Sequence, residues 1–390
     1  MHISLDSALG RDQRLNSLGE TINSIAAPAA AYSLRSLTGG DPKVVRVRRE
    51  GDNAEQDFTV SGINSGALVN YINTNGVFAN SGYESFSNAS ASGFTASNTS
   101  STGFAVSDLP DGTSGTAISV SFDIDITNGS PSLSLRDNLT GSGTVSNVVV
   151  YTSSGSKTAT LTSNNNYVGI GFTEGDTPSN FTVSNFKILG DGFVETWYDQ
   201  SGNGNDAPQT TASQQPKIVN NGSLVSNGID FDGSNDTLDM PTDLISSTNS
   251  ASAFVVAKSD TTGGSGAAVV LSRNSPDFRF YVPIIVSSNF NFGYQDSATK
   301  TSLGSADTNK HLFTAIAGSS NAEAFLDSTS KGTVSSADGK SALTSGGIGS
   351  INDIFSLWNG QIEEILVYAS DQSANRTALE TNINSHYSIF

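Results

Sequence analysis

A chain of 390 residues exceeds what one ordinary hydrophobic core serves, so two domains are expected. A formal net charge of −18 offers no basic field for phosphates and excludes nucleic acid as a partner, while the absence of cysteine excludes disulfides and thiolate zinc sites. With 14% charged and 36% hydrophobic residues, and with Ser, Thr, Asn and Gly crowding the rest, the chain is globular and built of many short strands joined by turns.

No apolar run reaches the length of a membrane span. Met1 to Ile25 alternates polar and apolar residues and does not read as a signal peptide. Within this stretch Leu15, Leu18, Ile22 and Ile25 are spaced 3, 4 and 3, a short helical stripe that Pro28 ends at or before Ala27. Two heptads are marginal as an isolated helix, so the stripe needs a partner. That partner is either the body of its own domain or a neighbouring subunit. We assign residues 1–27 as an arm that anchors and oligomerises, with a trimer favoured.

From Ala29 the sequence reads Ala-Ala-Ala-Tyr-Ser-Leu-Arg-Ser-Leu, then Val44-Val45-Arg46-Val47-Arg48-Arg49, and then Asp52-Asn53-Ala54-Glu55-Gln56-Asp57. The Val/Arg alternation predicts a half-buried strand. The segment resembles the opening block of the arabinofuranosidase B catalytic-domain family. In that family it precedes a Trp/Tyr-Asp-Gln-Ser-Gly-x-Gly-Asn block by a few dozen residues. Here Trp197-Tyr198-Asp199-Gln200-Ser201-Gly202-Asn203-Gly204-Asn205-Asp206 follows far later, so something is inserted. The same block recurs in laminin-G/concanavalin-like sandwich proteins of bacteriophages. Read on its own residues, it is a strand running into a rigid turn: Asn and Gly tolerate φ > 0, and Asp and Ser side chains bond the turn's own amides.

The insert, 81–189, offers strands at Ala117–Ile126, Ser132–Arg136, Ser146–Tyr151, Lys157–Leu161, Tyr167–Phe172 and Phe181–Leu189. Ile118, Val120, Phe122, Ile124 and Ile126 share one face, and Ser119, Ser121, Asp123 and Asp125 share the other. This spacing predicts a second β-sandwich, similar to carbohydrate-binding-module jelly rolls. After it, Ile229-Asp230-Phe231-Asp232-Gly233-Ser234-Asn235-Asp236-Thr237-Leu238 resembles the strand–turn–strand of laminin-G-like sandwiches. Strands are expected at Ala253–Lys258, Ala267–Ser272, Phe278–Val282, Phe290–Tyr294, Leu312–Ala317 and Ala322–Leu326. A closing strand at Trp358–Tyr368 and a helical tail from Ser373 to Tyr387 end the chain. The fold class expected is all-β: a concanavalin/laminin-G-like sandwich (jelly roll) over 28–80 and 190–390, with an inserted sandwich and a short N-terminal helical arm.

The resemblance implies a glycoside hydrolase, whose retaining chemistry needs two carboxylates about 5–5.5 Å apart. The family's nucleophile is a Glu several strands beyond the Asp-Gln-Ser-Gly block. No Glu occurs here between Glu195 and Glu323, and the corresponding stretch is Val269-Val270-Leu271-Ser272-Arg273-Asn274. The family's vicinal cysteines are missing as well. His2, His311 and His386 lie in no zinc spacing, no Gly-x-Ser-x-Gly elbow is present, and Gly202-Asn203-Gly204 carries no Lys for a phosphate.

Asp199, Asp206, Asp230, Asp232 and Asp236, clustered at turns, are candidates for calcium, although carboxylates so placed more often cap turn amides. Trp197 and Trp358 are expected in the core. Tyr198, with Asp199, Gln200 and Asn203, is the candidate glycan contact. The expectation is a non-enzymatic phage virion protein, made in the host cytoplasm and displayed outside as a capsid decoration, head fibre or tail component. It would touch host glycans and dock on other virion proteins through its arm. A glycosidase with a relocated catalytic pair and a bacterial surface adhesin are the alternatives.

Overall fold

The computed structural model describes residues 21–75, 78–80, 86–90, 92–97, 104–112, 117–137, 145–162, 167–173, 179–225, 228–242, 244–245, 250–272, 279–294, 300–318, 321–335, 345–350 and 356–390. Among them the architecture is all-β, as the alternation predicts, with two sandwiches that each enclose a core of their own.

In the outer body a 13-stranded sheet runs through Thr329–Ser335, Asn321–Leu326, Lys310–Ala317, Ala251–Ser259, Asn359–Tyr368, Ile229–Asp232, Lys217–Asn220, Gly192–Trp197, Lys43–Arg49 and Glu55–Thr59, with three short strands alongside. A six-stranded sheet of Leu238–Met240, Ser345–Ile348, Gly266–Ser272, Arg279–Val286, Asn289–Tyr294 and Lys300–Ser305 faces it. Ala253, Val255, Ile365 and Val367 from the large sheet meet Val269, Phe280, Val282 and Phe292 from the smaller one. Successive side chains of a strand point to opposite faces, so Phe254, Val256, Leu366 and Tyr368 emerge on the far side of the large sheet. There Leu379 and Ile383 of the C-terminal helix Arg376–Tyr387 cover them. The result is three layers: helix, large sheet, small sheet.

The third partner on that far face corrects the assignment of the arm. Among the described residues of 1–27 the helix is a single turn, Ile22–Ile25. Ile22 is 1% exposed among Phe254, Tyr368, Leu379 and Ile383, and Ile25 packs beside it. The Ile22 amide donates to the Leu37 carbonyl at 3.1 Å. These two residues are core of the body, not a docking face. A stripe of this length gains its stability from packing on something, and here the partner lies in the same chain. Leu15 and Leu18 lie outside the described residues.

The inserted sandwich has one sheet of Gly155–Thr162, Ala117–Asn128, Asn180–Leu189, Gly93–Ala96 and Phe86–Ser90, and another of Val145–Val150, Ser132–Arg136, Tyr167–Thr173, Phe104–Gly112 and Phe78–Asn80. Its core is aromatic: the rings of Phe78 and Phe186 lie 4.9 Å apart and those of Phe122 and Phe172 lie 5.1 Å apart. Pairing begins earlier than composition indicates. Thr74–Asn75 already pairs with Ile188 and Lys187, and Phe78 is buried in the insert's core. Two helices precede it, Val60–Asn64 and Ala67–Ile72, which bury Ile63, Leu68 and Ile72 in the outer body.

Truncating Ile22 tests the corrected assignment. Ile22→Ala is expected to cost about 2–5 kcal/mol by chemical denaturation, the usual range for a buried isoleucine. A loss below about 0.5 kcal/mol, the range of surface substitutions, would return the segment to the role of a free arm.

Candidate functional site

The strand Gly192–Trp197 delivers the Tyr198–Asp206 turn to the N-terminal segment. Trp197 is fully buried against Tyr32, with ring centroids 5.8 Å apart, and Trp358 is equally buried. Both tryptophans are core, as expected. Several of the turn's side chains bond backbone of the N-terminal segment or of the turn itself. Asp199 Oδ1 accepts from the amides of Ala31 and Ser201, each at 2.8 Å. Its Oδ2 accepts from the Ser201 hydroxyl at 2.6 Å and the Asn205 amide at 3.0 Å. Gln200 is buried, donates to the carbonyls of Ser33 and Arg35, and accepts from the Leu37 amide, all at 2.9 Å. Asn203 Nδ2 donates to the carbonyls of Pro28 and Ala29, and Asp206 accepts the Asp199 amide at 2.8 Å. Gly202 and Gly204 take φ of 88° and 75°, the left-handed conformations the sequence calls for.

This block is a clamp on residues 28–37. Among its candidate glycan contacts, Asp199 and Gln200 have both polar atoms of their side chains bonded within the clamp, and exposed Asn203 has its Nδ2 bonded to backbone. Tyr198 is half-buried, and its hydroxyl donates to Asp57 Oδ1 at 2.7 Å. Asp57 also holds Arg46 Nε at 2.8 Å and Lys43 Nζ at 2.7 Å. The hydrogen bond from Arg46, above all, keeps its carboxyl well below the usual carboxylate range.

The second turn behaves alike. Asp232 Oδ1 accepts from the amides of Ser234 and Asn235, and Asp236 Oδ2 accepts from the Asp232 amide at 3.0 Å. Burial pushes the Asp236 carboxyl up to about 7, and burial followed by the charge of Asp260 raises that of Asp230. Among the described residues no three His, Asp or Glu side chains come together as a metal group. Asp199, Asp206, Asp232 and Asp236 instead cap amides, because turn N–H groups supply nearer partners.

Elsewhere on the large sheet two buried carboxylates are paired with cations. Glu364 is fully buried and binds Arg35 through both oxygens, at 2.6 and 2.7 Å. Burial lifts the neighbouring Glu363 carboxyl to about 7 against the pull of Lys310 Nζ at 2.8 Å. In the stretch where the resemblance implies a nucleophile, Ala268 and Val269 are core.

A surface with uncommitted groups lies on the insert. Thr95, Ala96, Ser97, Asp125, Thr127, Asn180, Phe181 and Thr182 line an open depression of about 460 Å³. Its floor follows from register: Thr182 pairs with Thr95 on one side and Asp125 on the other, so the three side chains form a row on the outer face of the sheet. The opposite face of the same strands carries core residues Phe94, Ile124 and Val183. Asp125 Oδ1 accepts from the Ser154 hydroxyl at 3.1 Å. Asp125 Oδ2 and the hydroxyls of Ser97, Thr95 and Thr182 have no partner among the described residues. Sequence reasoning placed Asp123 and Asp125 on the outward face. It did not find the depression, because Thr95 and Thr182 come from distant strands.

No family model matches the sequence, and neither does any curated protein. Solved structures show distant likeness over parts of the chain. The NanB sialidase of Streptococcus pneumoniae matches with 14% identity and a TM-score of 0.33, covering 38% of this chain and 27% of that one. Domain 4 of AbnA, a GH43 extracellular arabinanase from Geobacillus stearothermophilus in complex with arabinotriose, matches with 12% identity and a TM-score of 0.33, over 39% of this chain and 75% of that one. The CBM40 of the Ruminococcus gnavus IT-sialidase bound to α2,3 sialyllactose matches with 10% identity and a TM-score of 0.29, over 33% and 80%. At these scores the likenesses carry no argument about what this chain does.

Two expectations follow from the turns. Asp199→Ala strands three backbone amides and should lower unfolding stability by about 3–5 kcal/mol. A near-unchanged stability, with ligand binding lost instead, would make the clamp a recognition site. For Asp236, the unfolded carboxyl ionises near about 3.9, whereas the folded one holds its proton up to about 7. Its contribution to stability is therefore fully present below pH ~4 and is lost as pH rises through about 7. Asp236→Asn keeps an acceptor for the Asp232 amide and should flatten that slope in denaturation curves at pH 5 and pH 8, while Glu363 leaves a residual slope of the same sign. An equally steep slope in the variant contradicts the assignment.

Proposed function

We propose that this is a non-enzymatic glycan-binding protein displayed on a phage-like particle, with the inserted sandwich as the binding module. The observation that carries the binding reading is the row Thr95–Thr182–Asp125, whose hydroxyls and carboxylate oxygen Oδ2 are uncommitted while the outer body's turns have most of theirs bonded internally. Threonine hydroxyls donate and accept, and a carboxylate accepts from two donors, which suits the hydroxyls of a sugar ring. With no exposed tryptophan among the described residues, each contact is weak and gains from many copies on one particle. The virion setting is supported by the Tyr198–Asp206 block and its order relative to the opening block, by the absence of cysteine and by a net charge of −18. Its partners on this reading are host-surface glycans and neighbouring virion proteins, in a homo-oligomer.

A printed glycan array probed with the full chain tests the binding reading. Thr182→Val and Asp125→Ala should each weaken binding about ten-fold, the effect of losing one or two hydrogen bonds, with unchanged melting. Sustained release of product from aryl arabinofuranosides or polysaccharides would overturn the non-enzymatic part. Absence of the chain from purified particles would overturn the virion part.

A further inference from the structure

We infer that the depression on the insert selects neutral glycans and turns away sialic and uronic acids; this rests on the reading of that surface as a glycan site. None of its eight lining residues is cationic, and one, Asp125, is anionic and exposed. Two residues along the same outer face stands Asp123, opposite both Ser156 and Ser184. Asp123 Oδ1 accepts from the Ser156 hydroxyl at 2.5 Å and Oδ2 from the Asn185 amide at 2.7 Å. These two bonds hold its carboxyl below the usual carboxylate range, so it is ionised wherever the protein is at neutral pH.

The cations of these strands are turned to other partners. Lys157 Nζ reaches the Ser153 hydroxyl at 3.2 Å and the Ser154 carbonyl at 3.5 Å, and Lys187 Nζ reaches Asn75 Oδ1 at 2.5 Å. A sugar carboxylate entering the depression meets Asp125 in the lining and Asp123 two residues along the same face, and no ammonium or guanidinium stands among the lining residues to neutralise it; this repulsion is screened as salt rises. A neutral ring offers hydroxyl donors instead, and Asp125 Oδ2 with the hydroxyls of Thr95, Ser97 and Thr182 can take them up. The acidic balance of the whole chain, −18, adds repulsion at longer range and lower salt.

The test uses the full chain against neutral lactose and arabinotriose, and against sialyllactose and a trigalacturonide, in 20 mM and 500 mM salt. The neutral sugars should bind at both salts. The acidic ones should bind at least about ten-fold more weakly at low salt, with the gap closing at high salt. Asp123→Asn, outside the lining, should narrow the low-salt gap while leaving the neutral sugars bound. Equal or tighter binding of an acidic sugar at low salt, lost in Thr182→Val, keeps the glycan site but overturns its selectivity. If no sugar binds at either salt, the glycan reading falls and the selectivity falls with it.

Discussion

The outer body depends on one carboxylate. Asp199 collects four donors, from Ala31, Asn205 and both the amide and hydroxyl of Ser201, and so joins the N-terminal segment to chain that follows the insert. Asn359–Tyr368 pairs with Ala251–Ser259 along one edge. Along its other edge Ile229–Asp232 covers Asn359 to Ile362, and Ala30–Ser33 takes over from Glu364 to Val367. A four-residue strand is marginal by itself. Asp199 and Gln200 supply the fixed partners that hold it in register, and Ile22 closes the layer above it.

The two regions rich in polar side chains differ in what water can do for them. At the clamp, backbone groups of residues 28–37 are withdrawn from solvent, and a buried N–H or C=O must be paired. Side chains of Asp199, Gln200, Asn203 and Asn205 are drawn in to pair them, so most of their hydrogen-bonding capacity serves the fold. On the outer face of the insert the sheet ladder already satisfies the backbone. The side chains above it face solvent without obligation, and exchanging water for sugar hydroxyls is nearly balanced. Polar side chains without a protein partner therefore sit where the fold does not need them.

This difference also sets what could be read from sequence. Period-two alternation carried the strands well: Ala117–Asn128 buries Val120, Phe122 and Ile124 on the predicted face, and Ser132–Arg136 has the predicted bounds. Core tryptophans and the glycine conformations of the clamp were legible too. Helices Val60–Asn64 and Ala67–Ile72 were not, because five or six residues are too few to show a 3.6-residue period. The Ile22–Ile25 stripe showed that a partner was needed and not which one. Aspartates spaced two apart look the same in sequence whether they ligate an ion or cap amides. The row Thr95–Thr182–Asp125 exists only once three strands are in register, and no local pattern encodes it.

The connection between the sandwiches explains how a second sandwich can be carried without disturbing its host. The chain leaves and returns through adjacent paired residues, Thr74 with Ile188 and Asn75 with Lys187. Beneath them the Asn73 side chain accepts from the Gly190 amide at 3.3 Å and donates to the Gly222 carbonyl at 3.0 Å. Gly222, at φ 75°, lies so close that a Cβ there would stand 2.7 Å from Leu189 and 2.9 Å from Asn73. The neck is thus narrow and locally rigid, held by backbone pairing and one amide side chain, whereas the two hydrophobic cores are separate clusters. Sequence changes on the outer face of the insert can alter that surface without touching the residues that fold the outer body.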